Sequence, residues 1–373
     1  MTDKVYHGLE GVLAGESAIC EVDHASGGLR YRGYRIEDLA ERASFEEVSH
    51  LLLMGSLPDR EALAAFRRHW VEARPVSATV LNFLRGILAT VNRMDALRTA
   101  VSILGLEDPD HGVNDRAADL GKAIRLCAQM PLLLAALLNR SVDTALISEA
   151  SLSHAEYLLS LLTGAKPDPF SVKVINVSLI LYAEHEFNAS TFAARVTAST
   201  LSDLHAAVCT AIGTLKGPLH GGANEAVMEM LIALDRRGKI KKDILERLAK
   251  KERIMGFGHR VLKKGDPRSD IIKAYTKALG ERKGHRKWAE LSAEIEAIMR
   301  SEKGLYPNLD FYSASAYYLL GLPIPIYTPL FVCSRVTGWA AHVIEQHEHN
   351  RLIRPRAKYT GEKPRPFVSI DDR

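Results

Sequence analysis

Beyond the first forty residues, apolar residues recur at three- and four-residue spacing almost everywhere, and strand-like alternation is nearly absent. That periodicity commits the chain to an all-α fold of many packed helices. Ser44 and Glu47 form a capping box ahead of Phe45, Val48 and Leu52, with Gly55 as the stop. Leu63, Phe66 and Trp70 make the next stripe, ended by Arg74-Pro75, and Met94, Leu97, Val101 and Leu104 another. A helical run to Leu138 should kink at Pro131, and residues 151–162 predict a helix ending at Gly164. Trp288, Leu291, Ile295 and Ile298 are closed by Gly304, and Val332, Val336, Trp339 and Val343 define a helix from Thr328-Pro329 to about Asn350, with Arg335 off its apolar line. Ahead of all this, segments 17–23 and 28–36 read as a small β-hairpin joined at Ser26-Gly27-Gly28. No repeat of fixed period points to a solenoid.

With 373 residues the chain is long enough for two domains, and 47% hydrophobic with 25% charged residues is an ordinary globular composition. A net charge of +4 is too small for nucleic-acid binding through bulk electrostatics. No apolar run approaches the ~20 residues of a membrane span, and the first fifteen residues, with Asp3 and Glu10, lack a signal-type core. The expectation is a cytoplasmic protein with no membrane partner. Cys20, Cys127, Cys209 and Cys333 form no CxxC pair, which argues for buried thiols against a disulfide framework or thiolate metal site.

Chemistry is expected where the helical pattern breaks. The stretch 253–269, RIMGFGHRVLKKGDPRS, puts Gly256, Gly258, Gly265 and His259 beside Arg253, Arg260, Lys263, Lys264 and Arg268. Glycines let a backbone close on a ligand, and the cations suggest that the ligand is anionic. Asp266 is a good N-cap with Pro267 at the first helical position, which puts Arg268 in the first turn near His259. Within a long helical run at 169–215, polar and small residues at 182–191 replace the apolar stripe. His185 there is either a surface residue beside a cap at Ser190 or part of a site. His220 lies among the glycines of GPLHGGANE between two helices. Asp310 follows a proline turn and is an N-cap or a site carboxylate. The tail from Arg354-Pro355 is rich in proline and charge, as an extended arm would be.

Three histidines (His185, His220, His259), one carboxylate (Asp310) and three isolated arginines (Arg268, Arg335, Arg354) are the candidates. Histidine and carboxylate move protons, while arginines hold carboxylates through paired, charge-assisted hydrogen bonds. The set suits carbon–carbon bond formation on a small polycarboxylate, where a base removes a proton beside a carbonyl and a donor meets the developing enolate. No serine or cysteine nucleophile motif competes.

GPLHGGANE, IMGFGHRVLKKGDPRS, PNLDFYSAS, SRVTGWAAHVIEQ and RLIRPRAKYTG, in this order, resemble the citrate synthase family from Gly8 to near the C-terminus. The resemblance implies a large helical domain (1–220 and 327–373), a smaller mobile CoA-binding domain (221–326) and a homodimer, or higher oligomer, with crossing C-terminal arms. It implies that His220 stabilises the enol of the acyl-CoA, that Asp310 takes the α-proton and that His259 polarises the ketone of oxaloacetate. His185, Arg268 and Arg335 would bind oxaloacetate, with Arg354 supplied by the other subunit. Ile254, Met255, Gly256, Phe257 and Gly258 would wrap the adenine of coenzyme A, and Lys263 and Lys303 would meet its phosphates. The CoA thioester is a co-substrate; no permanently bound cofactor and no metal is implied.

Within the resemblance, acetyl-CoA would give citrate and propionyl-CoA 2-methylcitrate. Tyr182 is similar to the methylcitrate branch and to archaeal citrate synthases, whereas SEKGLYPNLDFYSAS resembles ordinary bacterial citrate synthases. One methylene changes binding by only ~1–3 kcal/mol, so both activities in one site are compatible with it. Citrate synthase is the leading reading. A different class rests on His342, Glu345 and His349, which share a helical face with His347 nearby and could form a metal site or a solvated or subunit-contact face.

Overall fold

The computed structural model describes residues 5–23, 28–88, 90–139, 145–258 and 265–373. Helices make up 64% of it, and the only strands among the described residues are three short ones, so the fold class is all-α. Several local caps form where the sequence predicts them. Ser44 accepts from the Glu47 N–H, Glu47 reaches back to the Ser44 N–H at 2.7 Å, and the Phe45–Met54 helix stops at Gly55 with φ +97°. Asp266 caps Pro267–Arg282, and Gly304 closes Lys287–Lys303.

Three boundaries differ from expectation. The His154–Thr163 helix begins after Ser153, which accepts the Glu156 N–H, while Ser151 turns back to Glu149. The run at 169–215 has two breaks and becomes Pro169–Tyr182, Ala189–Ala198 and Leu204–Leu215. Asp203 makes the second by capping the third helix. The cap of Ala189–Ala198 is Asn188, whose Oδ1 accepts the Thr191 N–H at 3.1 Å, not Ser190.

The hairpin carries one strand more than expected. Cys20–Val22 pairs antiparallel with Leu29–Tyr31, and a turn at Arg32-Gly33 brings Tyr34–Arg35 alongside. Its purpose is structural: buried Tyr31 sends its hydroxyl to the Glu184 carbonyl at 3.0 Å and takes the Glu184 N–H at 3.2 Å, pinning the first break in the helical run.

The Tyr327–Glu348 helix is the axis of the core. Every residue from Tyr327 to Ile344 is buried, the pattern of a helix covered on all sides. It packs against Arg116–Leu137, Pro169–Tyr182 and Ala189–Ala198. Arg116–Leu137 passes through Pro131 as one helix. Contrary to expectation it is long and apolar enough to cross a membrane by length and composition, yet most of it is buried against its neighbours. The helices between Ala223 and Leu319 pack on one another; Pro267–Arg282 and Leu309–Leu319 also lie against Pro169–Tyr182. Cys20, Cys127 and Cys333 are buried thiols, but Cys209 is partly exposed and bonds the Arg98 carbonyl at 3.4 Å. From Arg351 onward the chain is an almost wholly exposed tail without regular structure apart from a short turn at Ile370–Asp372.

Candidate active site

The break between Tyr182 and Ala189 gathers most of the candidates around one short piece of backbone. Tyr182, at the end of its helix, donates its hydroxyl to Asp310 Oδ1 at 2.6 Å, and its carbonyl accepts from Arg335 Nε at 2.6 Å. Three residues on, His185 is buried, which removes the surface reading, and its backbone N–H donates to Glu184 Oε1 at 2.8 Å. At the start of the next helix the Ser190 N–H donates to His220 Nε2 at 3.2 Å, and Ser190 Oγ lies 2.8 Å from the same nitrogen.

Asp310 is not the cap of its helix. Asn308 is: its Oδ1 accepts the Asp310 N–H at 3.1 Å, leaving the Asp310 carboxylate for Tyr182. Burial pushes the Asp310 carboxyl up to about 6 against the pull of the Tyr182 hydroxyl and of Arg268. Burial likewise pushes His220 down to about 4, and the positive Arg335 adds to the effect. At neutral pH the pair is therefore an ionised carboxylate and a neutral imidazole. Because a backbone N–H only donates, His220 Nε2 is an acceptor and the ring carries its proton on Nδ1. The site thus holds a base of moderate strength and a neutral donor, opposite roles set by environment.

Two buried guanidiniums share the region. Arg268 is held by Asp266 through two parallel bonds, Nε to Oδ1 and Nη2 to Oδ2, both at 2.9 Å. Asp266 also accepts the Leu309 N–H at 3.2 Å, so it ties the Arg268 helix to the Asp310 helix. Arg335 is buried above the Phe331 ring at 4.8 Å, and among the described residues it forms no ion pair. Two buried cations, one without an acidic partner within bonding range, fit a small anion with several carboxylates.

The segment 254–258 is stitched to the turn before Asp310. Asn308 donates its N–H to the Gly256 carbonyl at 2.9 Å, Gly258 donates to the Tyr306 carbonyl at 3.0 Å, and Phe257 packs on Phe311 with centroids 4.5 Å apart. Gly256 has φ +82°, and a Cβ there would stand 2.8 Å from both Phe311 and Val227, so the close approach requires glycine. His259 and Lys263 lie outside the described residues. Lys303 is exposed at the end of its helix and Arg354 is exposed in the tail, and among the described residues neither is bonded to His220, Asp310, Arg268 or Arg335.

The proposed metal face does not assemble. His342 is engaged by Arg195 and Glu184, and His347 by Asp119 at 2.6 Å and the Ser202 carbonyl at 3.1 Å, while His349 is exposed. Among the described residues no group of three or more His, Cys, Asp or Glu side chains is placed to hold a metal ion.

Sequence reasoning left Tyr182, Glu184, Ser190, Asp266 and Asn308 out of the site. Tyr182 entered only as a mark of substrate branch, and Ser190 and Asp266 only as helix caps. The bond from Tyr182 to Asp310 spans 128 positions, and no local pattern encodes that.

A family model described as "Citrate synthase, C-terminal domain" matches residues 8–356. The chain is 47% identical to the citrate synthase of Haloferax volcanii across the whole of both chains. It is 44% identical to the 2-methylcitrate synthase of Shewanella oneidensis, covering 98% of this chain and 97% of the other. It superposes with a TM-score of 0.92 and 33% identity, over all of both chains, on the citrate synthase of Thermoplasma acidophilum solved as a ternary complex with carboxymethyl coenzyme A and oxaloacetate. With its core helix, its breaks and its buried carboxylate, histidine and arginines arranged as above, this chain belongs to the citrate synthase family.

Proposed function

We propose that this protein condenses acetyl-CoA with oxaloacetate and water to give citrate and free CoA. The family is one of acyltransferases acting on CoA thioesters. The observation that carries the reading is that residues 182–190 hold both Asp310, a carboxylate pushed up to about 6 and bonded to Tyr182, and His220, a neutral imidazole bonded to Ser190 with its proton fixed on Nδ1.

In this reading Asp310 takes the α-proton of the thioester and the His220 Nδ1–H meets the developing enolate oxygen. The enol carbon attacks the ketone of oxaloacetate, with His259 as the group assigned to polarise that ketone. Hydrolysis of the resulting thioester then releases CoA. His185, Arg268 and Arg335 bind the keto acid, and Arg354 completes the site from the partner in a homodimer. The loop 254–258 receives the adenine of CoA, with Lys263 and Lys303 toward its phosphates. Residues 221–326 form the smaller domain, which closes over oxaloacetate before the acyl-CoA enters and so keeps water out until condensation.

A second reading, 2-methylcitrate synthase, rests on one observation: Tyr182, which resembles that branch as well as archaeal citrate synthases, touches the base directly. Thiol release measured with acetyl-CoA and propionyl-CoA side by side, each with and without oxaloacetate, separates the two. Release from acetyl-CoA only when oxaloacetate is present is the expected result; release from neither ends the assignment, and preference for propionyl-CoA establishes the second reading.

A further inference from the structure

We propose that His342 and Glu184 are positioning residues for the keto-acid end of the site, the inner links of a buried Arg195–His342–Glu184 chain that fixes the segment carrying His185 and balances Arg335. The proposal rests on the assignment of His185 and Arg335 to the keto acid.

Both side chains are wholly buried, and His342 Nε2 lies 3.1 Å from Glu184 Oε1. The direction of that bond is forced from outside. A guanidinium has only donors, so at 2.9 Å Arg195 Nη1 makes His342 Nδ1 an acceptor and leaves the ring hydrogen on Nε2, aimed at Glu184. Arg195 is itself clamped by Glu345 at 2.6 Å and Gln346 at 3.1 Å, and Glu345 accepts the Ala18 N–H at 2.8 Å. At the inner end, the same Oε1 takes the His185 N–H at 2.8 Å.

A second, independent observation is steric. A Cβ at Gly338 would stand 2.2 Å from Glu184 Oε2 and 2.3 Å from the Ala183 carbonyl, so the central helix is hollowed there to admit this carboxylate. Oε2 is buried without a hydrogen-bond partner, a costly arrangement unless an opposite charge compensates. Burial disfavours the Arg335 charge, and the Glu184 carboxylate acts in the opposite sense, favouring it before an anion arrives. If only the fold were served, an apolar pair of similar volume would do as well or better.

The test compares His342→Leu with His342→Gln, whose amide keeps both an acceptor for Arg195 and a donor for Glu184. His342→Leu should lower the thermal midpoint and raise KM for oxaloacetate roughly tenfold or more, with KM for acetyl-CoA close to the parent, and His342→Gln should restore most of the loss. An unchanged KM for oxaloacetate, a parallel rise in both constants, or a Gln variant no better than Leu overturns the proposal. Should His342→Leu not fold, Arg195→Gln breaks the same chain one link further out and is read by the same criteria. Arg335→Gln separates the two levels of the argument: a normal KM for oxaloacetate there overturns the keto-acid assignment itself.

Discussion

Asp310 is a carboxylate held where ionisation is disfavoured. Its carboxyl rises from an ordinary 3.8 to about 6 because burial penalises the charge more than Tyr182 and Arg268 favour it. As a base it works only when ionised, so activity is full above that value and falls as pH drops through it. A kcat/KM profile for the acyl-CoA should show an acid limb near pH 6. The stability sign is the reverse: the folded state holds this proton more tightly than the unfolded chain, so ionisation costs stability that is lost as pH rises toward 6. Asp310→Asn should therefore lower kcat by roughly 10²–10⁴-fold, retain oxaloacetate binding and leave the thermal midpoint at pH 7 equal or higher; near-normal turnover would return Asp310 to a purely structural role. Tyr182→Phe removes the donor that favours the ionised form, and the acid limb should move up by about one pH unit. A limb that stays in place would mean that the 2.6 Å contact does not set the base.

At the scale of elements, the legible parts were those encoded within four residues. The Ser44–Glu47 box, the Asp266-Pro267 start and the stops at Gly55 and Gly304 formed where the pattern placed them. Choices between neighbours were not legible: Asn308 and Asp310 are both cap-formers two positions apart, and Asp310 is released from capping by a tyrosine on another helix. Ser190 lost its cap to Asn188 and turned to His220, thirty positions away. The resemblance supplied His185, His220, Asp310, Arg268 and Arg335, whereas their supporting residues came only with the fold. Asn308 shows how tightly the elements are coupled, since it caps the base's helix and also holds the Gly256 and Gly258 carbonyls. Gly256→Ala, forcing a Cβ to 2.8 Å from Phe311 and Val227, should destabilise the fold by about 1–3 kcal/mol and weaken acyl-CoA more than oxaloacetate. Denaturant unfolding and the two KM values check this, and an unaffected KM for acyl-CoA would detach the loop from the coenzyme.

For the whole molecule, the tail is tied to its own chain only at its root, where the Ile353 N–H donates to Ser199 Oγ at 3.1 Å, and the described residues beyond are exposed. Leu352, Tyr359, Phe367 and Ile370 are all more than half exposed, an apolar series unusual for a free end. It fits the proposed arm that reaches a second copy and delivers Arg354. Ending the chain after Asn350 should shift light-scattering mass toward the monomer or raise KM for oxaloacetate at least about tenfold, and mixing Arg354→Ala with Asp310→Asn subunits should restore part of the activity. Intact mass with intact affinity would show that the arm serves neither role. A last consequence follows from how Tyr182 is used. Its hydroxyl serves the base while its carbonyl serves Arg335, and only the first depends on which side chain stands there. On the proposed reading, position 182 is a place where descent can exchange one residue for another and retune the acyl half while the grip on the keto acid is inherited unchanged, so related enzymes could part company over a methylene without having to reinvent the rest.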